Sequence, residues 1–187
     1  MSEERRHPNV VHRDEVSVMN MEKGRHRMQL RRLGAAAGGQ LIGANLTEVP
    51  PGAVWPQSFN LADILYWIER EPEFGRQAVY LEDAESAAEL PVAAEFERLH
   101  AQGVRIWAPP LFALLALDES GAIVPSPSAR AAKAAGLELV TWSLERSGTL
   151  GAGQNGWYYQ TIDAALHRDS DVLHVLDVLA REVGVRA

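Results

Sequence analysis

The stretch VAAEFERLHAQGVRIWAPP, residues 92–110, holds a helix and a buried strand in direct succession. Its first part predicts a helix from Val92 to Gln102, closed by Gly103 at the position after the C-cap. The segment Val104–Ala108, apolar except for Arg105, is typical of a buried strand, and the prolines at 109–110 end it. A helix that leads directly into a buried strand indicates a parallel sheet, because parallel neighbours need crossover connections.

The same alternation of helices and strands runs through residues 55–187. A first helix is predicted to begin at an N-cap Ser58 and to end before Pro72. Further helices are expected at about 128–135 and 171–183, and further strands at 77–81 and 137–144, with the start of another at 184–187. Three parallel strands cannot close a barrel, so the expectation is an α/β fold that is incomplete as a (β/α)₈ barrel.

Residues 1–54 differ in character from the rest. They contain no tryptophan, whereas all five tryptophans follow, beginning with Trp55. Strands are predicted from Met28 to Leu33 and from Leu41 to Val49, the second stopped by the Pro-Pro-Gly turn that follows it. Two strands alone are marginal in water, so this segment needs a larger sheet. The sequence therefore predicts two domains, 1–54 and 55–187.

Composition limits the classes of function. With 47% hydrophobic and 23% charged residues, the 187-residue chain reads as globular. Residues 1–54 hold 8 Lys/Arg and 6 Asp/Glu, and residues 55–187 hold 10 and 19, so their net charges are +2 and −9. The acidic larger part argues against a nucleic-acid partner. No apolar window long enough to span a membrane occurs, and Met1–Asn9 lacks an apolar signal core, which predicts a cytoplasmic location.

Several blocks in residues 55–187 together resemble the glycerophosphodiester phosphodiesterase family. They are WPQSFN at 55–60, LYWI at 65–68, QAVYL at 77–81, APPL at 108–111, AAKAAGL at 131–137, TWSLERSG at 141–148 and GWYYQ at 156–160. The resemblance covers about 70% of the chain and implies a (β/α)₈ barrel. It also implies hydrolysis of a glycerophosphodiester to glycerol phosphate and an alcohol, assisted by a divalent cation, Mg²⁺ or Ca²⁺.

The chemistry of that family lies mostly in the first half of its barrel. There an early His-Arg-Gly motif supplies general acid/base groups, and nearby carboxylates hold the metal. Here His12 and Arg13 are followed by Asp14 rather than glycine, and no apolar strand of the right kind precedes them. The resemblance implies a glycerophosphodiester as the substrate of the family. We expect this chain alone to bind no divalent cation and to be inactive. No catalytic or metal-binding residue is predicted in it.

Residues 1–54 resemble the start of a cupin domain. The resemblance rests on RLG at 32–34 and on GANLTEVPPG at 43–52. Cupins commonly bind a metal through a histidine-rich motif soon after such a Pro-Gly turn. Here Trp55, Pro56 and Gln57 stand in that place, which argues against cupin-type metal binding.

The carboxyl ends of parallel strands nominate the site residues, because barrel enzymes bind substrate at that face. They are Glu82, Trp107, Trp142 and Glu145. Glu82 with Asp83 could hold Mg²⁺ or Ca²⁺, although adjacent residues on a strand point to opposite faces, and the alternative is an acidic loop. Trp142 and Glu145 could line a glycerol-sized pocket, the alternative being a core indole and a solvated carboxylate.

The segment Gly151–Gly156 spells GxGxxG but lacks the helix and the acidic partner of a dinucleotide site. We interpret it as a loop on the active-site side, with Trp157, Tyr158 and Tyr159 as its hydrophobic anchor. Two other classes of function stay open. One is a non-catalytic module that forms a homodimer through exposed strand edges, and the other is a cupin-type protein that binds a metal or a small molecule.

Overall fold

The computed structural model describes most of the chain from residue 54 onward and three short segments before it. The described ranges are 15–23, 26–31, 46–48, 54–144, 149–151 and 155–186. The chain divides into two compact units, Met1–Val54 and Trp55–Ala187. The family of each unit stays a prediction.

The first unit contains a three-stranded antiparallel sheet. Its strands are β1 (Met19–Lys23), β2 (His26–Arg31) and β3 (Leu46–Glu48), in the order β1-β2-β3. β2 and β3 confirm parts of the two predicted strands, whose other residues lie outside the described ranges. β1 was not predicted, because Asn, Glu and Lys are depleted in strands.

The described residues of the second unit form six strands. They are β4 (Gln57–Ser58), β5 (Val79–Leu81), β6 (Ile106–Ala108), β7 (Leu115–Leu117), β8 (Ile123–Pro125) and β9 (Glu138–Leu139). β4, β5, β6 and β9 form one parallel sheet in that order, and β7 and β8 form an antiparallel hairpin. The Arg186 amide donates to the Leu139 carbonyl at 2.7 Å, so the backbone at 186 lies beside β9.

Helices connect these strands and make the fold α/β. The helices are α1 (Leu61–Arg70), α2 (Pro72–Gly75), α3 (Ala93–Ala101), α4 (Pro127–Ala134) and α5 (Val172–Val178), which continues into a π-helical turn, Leu179–Val183. Single 3₁₀ turns occur at Ala87–Glu89, Leu111–Ala113, Trp157–Tyr159, Asp163–Ala165 and Asp169–Asp171. No described helix has both the length and the apolar character needed to cross a membrane.

Some sequence predictions for this unit need correction. The sheet has four described strands rather than three, because the two residues of β4 are too few to give a pattern. The N-cap of α1 is Asn60 rather than Ser58: the Asn60 side chain accepts from the Ala62 amide at 3.0 Å. The Ser58 hydroxyl instead donates to Asp63 at 2.8 Å. The hairpin of β7 and β8 was also missed.

The parallel sheet separates two apolar clusters, because successive residues of a strand point to opposite faces. Trp107 belongs to the larger cluster, where its ring lies 4.7 Å from that of Phe96 on α3. Ile106 and Ala108 belong to the smaller cluster with Val79. The larger cluster is therefore the core between sheet and helices, and the smaller one lies on the opposite face.

Gly75→Ala tests the close packing of α2 against α1. A Cβ atom at Gly75 would lie 2.5 Å from both the Cα and the N of Ile68. Backbone atoms cannot rotate away, so we expect the free energy of unfolding to fall by about 3 kcal/mol in urea titrations. Gly121→Ala is the control, since its Cβ meets no atom within 4 Å and its positive φ of 81° costs only about 1 kcal/mol. Equal losses in the two variants would contradict this account.

Candidate functional site

Four aromatic rings gather at the carboxyl ends of the parallel strands. We call this group the aromatic mouth: Phe59, Trp142, Trp157 and Tyr158. Phe59 follows β4, and Trp142 follows β9. The Trp142 ring centroid lies 5.9 Å from that of Phe59, 6.0 Å from that of Tyr158 and 6.1 Å from that of Trp157. Phe59 is 50% exposed and Trp157 41% exposed, so the group presents ring surface to solvent.

Backbone pairing beyond β6 and β9 fixes Trp142. Its indole Nε1 donates to the Ala108 carbonyl at 2.9 Å, and its own carbonyl accepts from the Leu111 amide at 2.9 Å. The hydroxyl of Thr141 donates to the Pro109 carbonyl at 2.9 Å. The peptide bond between Trp142 and Ser143 is cis. The indole is therefore held through its Nε1 edge and through the backbone on either side of it.

Trp157 is held by a contact that is distant in sequence. Its indole Nε1 donates to the Glu85 carbonyl at 2.9 Å, and the side chain of Gln160 donates to the same carbonyl at 3.1 Å. Asn155 fixes the segment that precedes Trp157. It is 5% exposed, and its side-chain amide donates to Asp163 Oδ1 at 2.8 Å. The two bonds to Glu85 tie the segment with Trp157 to the loop after β5, and the Asn155 bond closes that segment on itself.

A cavity of about 260 Å³ adjoins Trp142 on the smaller apolar face of the sheet. Its lining is mostly apolar: Gln57, Phe59, Val79, Leu81, Ala108, Val140, Thr141 and Trp142. Gln57 and Thr141 supply the polar groups. A cavity of this size with few polar groups fits a small organic ligand.

Glu82 and Trp107 form a buried pair on the other face. Glu82 is 7% exposed, Trp107 is fully buried, and the indole Nε1 donates to Glu82 Oε2 at 3.3 Å. The other carboxylate oxygen accepts from the Asp83 amide at 3.1 Å. Burial raises the pKa of Glu82, and the hydrogen bond from Trp107 opposes that rise. The pair links the end of β5 to the centre of β6.

The structure brings the predicted site residues together only in part. Glu82 and Trp107 contact each other, and Trp142 lies in the aromatic mouth, whereas Glu145 lies outside the described residues. Phe59 was not predicted as a site residue, although its position directly after β4 could have indicated it. Trp157 and Tyr158 were predicted to anchor a loop, and they also form part of the mouth.

The carboxylates of the described residues do not fit a divalent cation. Glu82 uses both oxygens within the protein, and its neighbour Asp83 is exposed. Within the part of the chain that the structure describes, no three His, Cys, Asp or Glu side chains come together as metal ligands would. The described carboxylates therefore support no metal-assisted step.

Comparison with known proteins finds a relative among curated proteins. No family model matches the chain, and no solved structure matches it. The chain is 41% identical over 142 residues to a protein of Arthroderma benhamiae named Extracellular protein. The similarity covers 74% of this chain and 58% of the relative's length. The relative's name states a location and no activity.

The prediction of a cytoplasmic location is wrong, because this relative is named an extracellular protein. The prediction rested on the lack of an apolar signal core within Met1–Asn9. Since the chain spans only 58% of the relative, those residues carry no information on export.

Glu82→Gln tests the buried carboxyl. Its raised pKa means that the folded state binds the proton more tightly than the unfolded state, whose carboxyl keeps the ordinary value of 4.5. Wild-type stability therefore falls as the pH rises from about 4.5 through the raised pKa, and the variant lacks this loss. The variant's free energy of unfolding relative to wild type should rise between about pH 4 and about pH 7 in urea titrations.

The matched control is Asp83→Asn, which replaces the exposed neighbouring side chain and keeps the buried Glu82, so its stability should still fall as the Glu82 carboxyl ionises. Tryptophan fluorescence is a suitable signal, because all five tryptophans lie in residues 55–187. A Glu82→Gln difference that is equal at both pH values would show that burial does not perturb this carboxyl.

Proposed function

We propose that residues 55–187 are the second half of a (β/α)₈ barrel of the glycerophosphodiester phosphodiesterase type, and that they supply its substrate-binding part. The observation that carries the proposal is the aromatic mouth beside the cavity, at the carboxyl ends of parallel strands. In barrels of this architecture, that end binds the substrate. The antiparallel sheet of residues 1–54 supports the accompanying proposal of a cupin-like segment.

The site offers groups that suit a glycerol moiety. The indole face of Trp142 can cover the CH groups of a polyol, since its edge is already engaged with Ala108. The Thr141 hydroxyl donates its proton to Pro109, which leaves its oxygen lone pairs to accept from a ligand hydroxyl. Gln57, which also lines the cavity, has both a donor and an acceptor.

Hydrolysis of the diester requires groups beyond those that bind it. The resemblance implies that the cation ligands and the acid/base histidine of the family lie in the first half of the barrel. The described carboxylates do not form such a site. We therefore propose that this chain by itself binds a glycerophosphodiester without hydrolysing it.

Titration of the full chain with glycerophosphoglycerol tests this proposal. Binding should change the intrinsic fluorescence, because Trp142 and Trp157 lie at the mouth. Trp142→Leu should weaken binding by about 1 kcal/mol, roughly fivefold, through loss of the aromatic face. Trp67→Phe is the control, since Trp67 lies on α1 and pairs with Phe74. The diester should stay intact when Mg²⁺ or Ca²⁺ is added.

Two results would overturn the proposal. Equal affinity of the wild type and Trp142→Leu for glycerophosphoglycerol would show that the diester does not bind at the mouth. Release of glycerol phosphate above a buffer blank by the pure, metal-loaded chain would show that the chain is catalytic by itself.

We also propose that the protein acts outside the cell, on the basis of the extracellular name of its relative. Mass spectrometry of culture medium and of washed cells from the source organism should find peptides of this chain enriched in the medium. An abundant cytosolic protein, measured in the same two fractions, controls for lysis. Enrichment of both proteins in the cells would contradict export.

A further inference from the structure

The pairing of β1 with β2 in the first unit places methionines side by side. The two strands are antiparallel, and Met21 lies directly opposite Met28. Met19 occupies the same face of the sheet as Met21, because successive residues of a strand alternate between the two faces. Three of the four methionines in the chain therefore share neighbouring positions on one face, which we call the methionine face.

The composition of the methionine face differs from that of an ordinary strand core. Valine, isoleucine and aromatic residues are enriched in strands, yet neither β1 nor β2 contains any of them. The face continues with Lys23 opposite His26, and lysine is almost never fully buried. Met19 is 43% exposed. The methionines therefore do not belong to a continuous apolar core, and their element, sulfur, is the feature that needs a reason.

The chemistry of methionine indicates a cation. Thioethers are soft ligands that select Cu(I) over the harder divalent cations. The chain contains no cysteine, so no thiolate competes with the thioethers for a soft ion. Methionine also has three rotatable bonds, which lets donors from adjacent positions adapt to one ion.

The register sets which residues can share an ion. Directly opposite residues such as Met21 and Met28 have Cβ atoms about 5 Å apart, and Met19 lies about 7 Å along the strand from Met21. His26 is level with Lys23, which places it about 13 Å from Met19 along the sheet. Three thioethers can thus reach one ion, whereas the imidazole of His26 is too distant to join Met19 on it.

We propose that the methionine face binds one Cu(I) ion through Met19, Met21 and Met28. The site differs from a cupin-type metal site, because its donors are sulfur atoms rather than histidines and its cation is monovalent. It lies in residues 1–54 and does not depend on the proposed function of residues 55–187.

Anaerobic titration of the full chain with Cu(I) tests the site, in competition with the chromogenic chelator bathocuproine disulfonate. The wild type should retain a single equivalent of Cu(I) against the chelator. X-ray absorption at the copper edge should then show sulfur neighbours. Copper surrounded by nitrogen and oxygen alone would overturn the proposal, and this measurement needs no variant.

Met21→Leu and Met28→Leu each remove one sulfur and nearly conserve the volume, so far-UV circular dichroism should be unchanged. Each should weaken Cu(I) binding at least about tenfold, because even the loss of an outer-shell partner costs about 10–100-fold in metal affinity. The matched control is His26→Ala, which changes another residue of the same face and should bind Cu(I) as the wild type does.

Three results would contradict the site. They are an unchanged affinity in both leucine variants, an equally large loss in His26→Ala, and displacement of Cu(I) by equimolar Zn²⁺, which favours nitrogen, thiolate and oxygen ligands. Since no readout uses the diester, each of these results leaves the proposed function standing.

Discussion

The parallel pairing of β6 with β5 on one side and β9 on the other brings the loops that carry Glu82, Glu85 and Trp142 to one edge of the sheet. Parallel strands end at the same edge, so the loops after Leu81, Ala108 and Leu139 meet there. The pairing extends beyond the strands through the bonds of Trp142 to Ala108 and to Leu111. The position of the Trp142 indole is thus a consequence of hydrogen bonding to the backbone, and not of loop packing alone.

The two faces of this sheet have different roles because the side chains alternate. Trp107 points to the helices, where it fills the core and satisfies the buried Glu82. Its neighbours Ile106 and Ala108 point to the opposite face, where the cavity lies. Two residues predicted from the strand-end rule, Glu82 and Trp107, therefore lie buried beneath the strand ends, whereas Trp142 lies in the mouth.

Local sequence patterns predict the helices and strands of this fold. They say little about which distant residues meet at the site. The helix and strand at 92–108 follow a clear pattern and are confirmed within a few residues. The hairpin of β7 and β8 could have been found from the Asp118-Glu119-Ser120-Gly121 turn between two apolar runs. In contrast, the bond from Trp157 to Glu85 joins residues 72 positions apart, and no local pattern indicates which loop the indole reaches.

The arrangement suggests how binding and chemistry are divided in this fold. The mouth supplies exposed ring surface, and the Ala108 and Glu85 carbonyls that hold its two indoles each accept two hydrogen bonds. Its nearest buried carboxyl, Glu82, has both oxygens engaged, and burial favours its neutral form, which is a poor cation ligand. A phosphate held beside this mouth would thus depend on other residues for charge neutralisation. Under the proposed function, the mouth contacts an organic part of the diester, and the cleavage of its phosphate depends on a different set of groups.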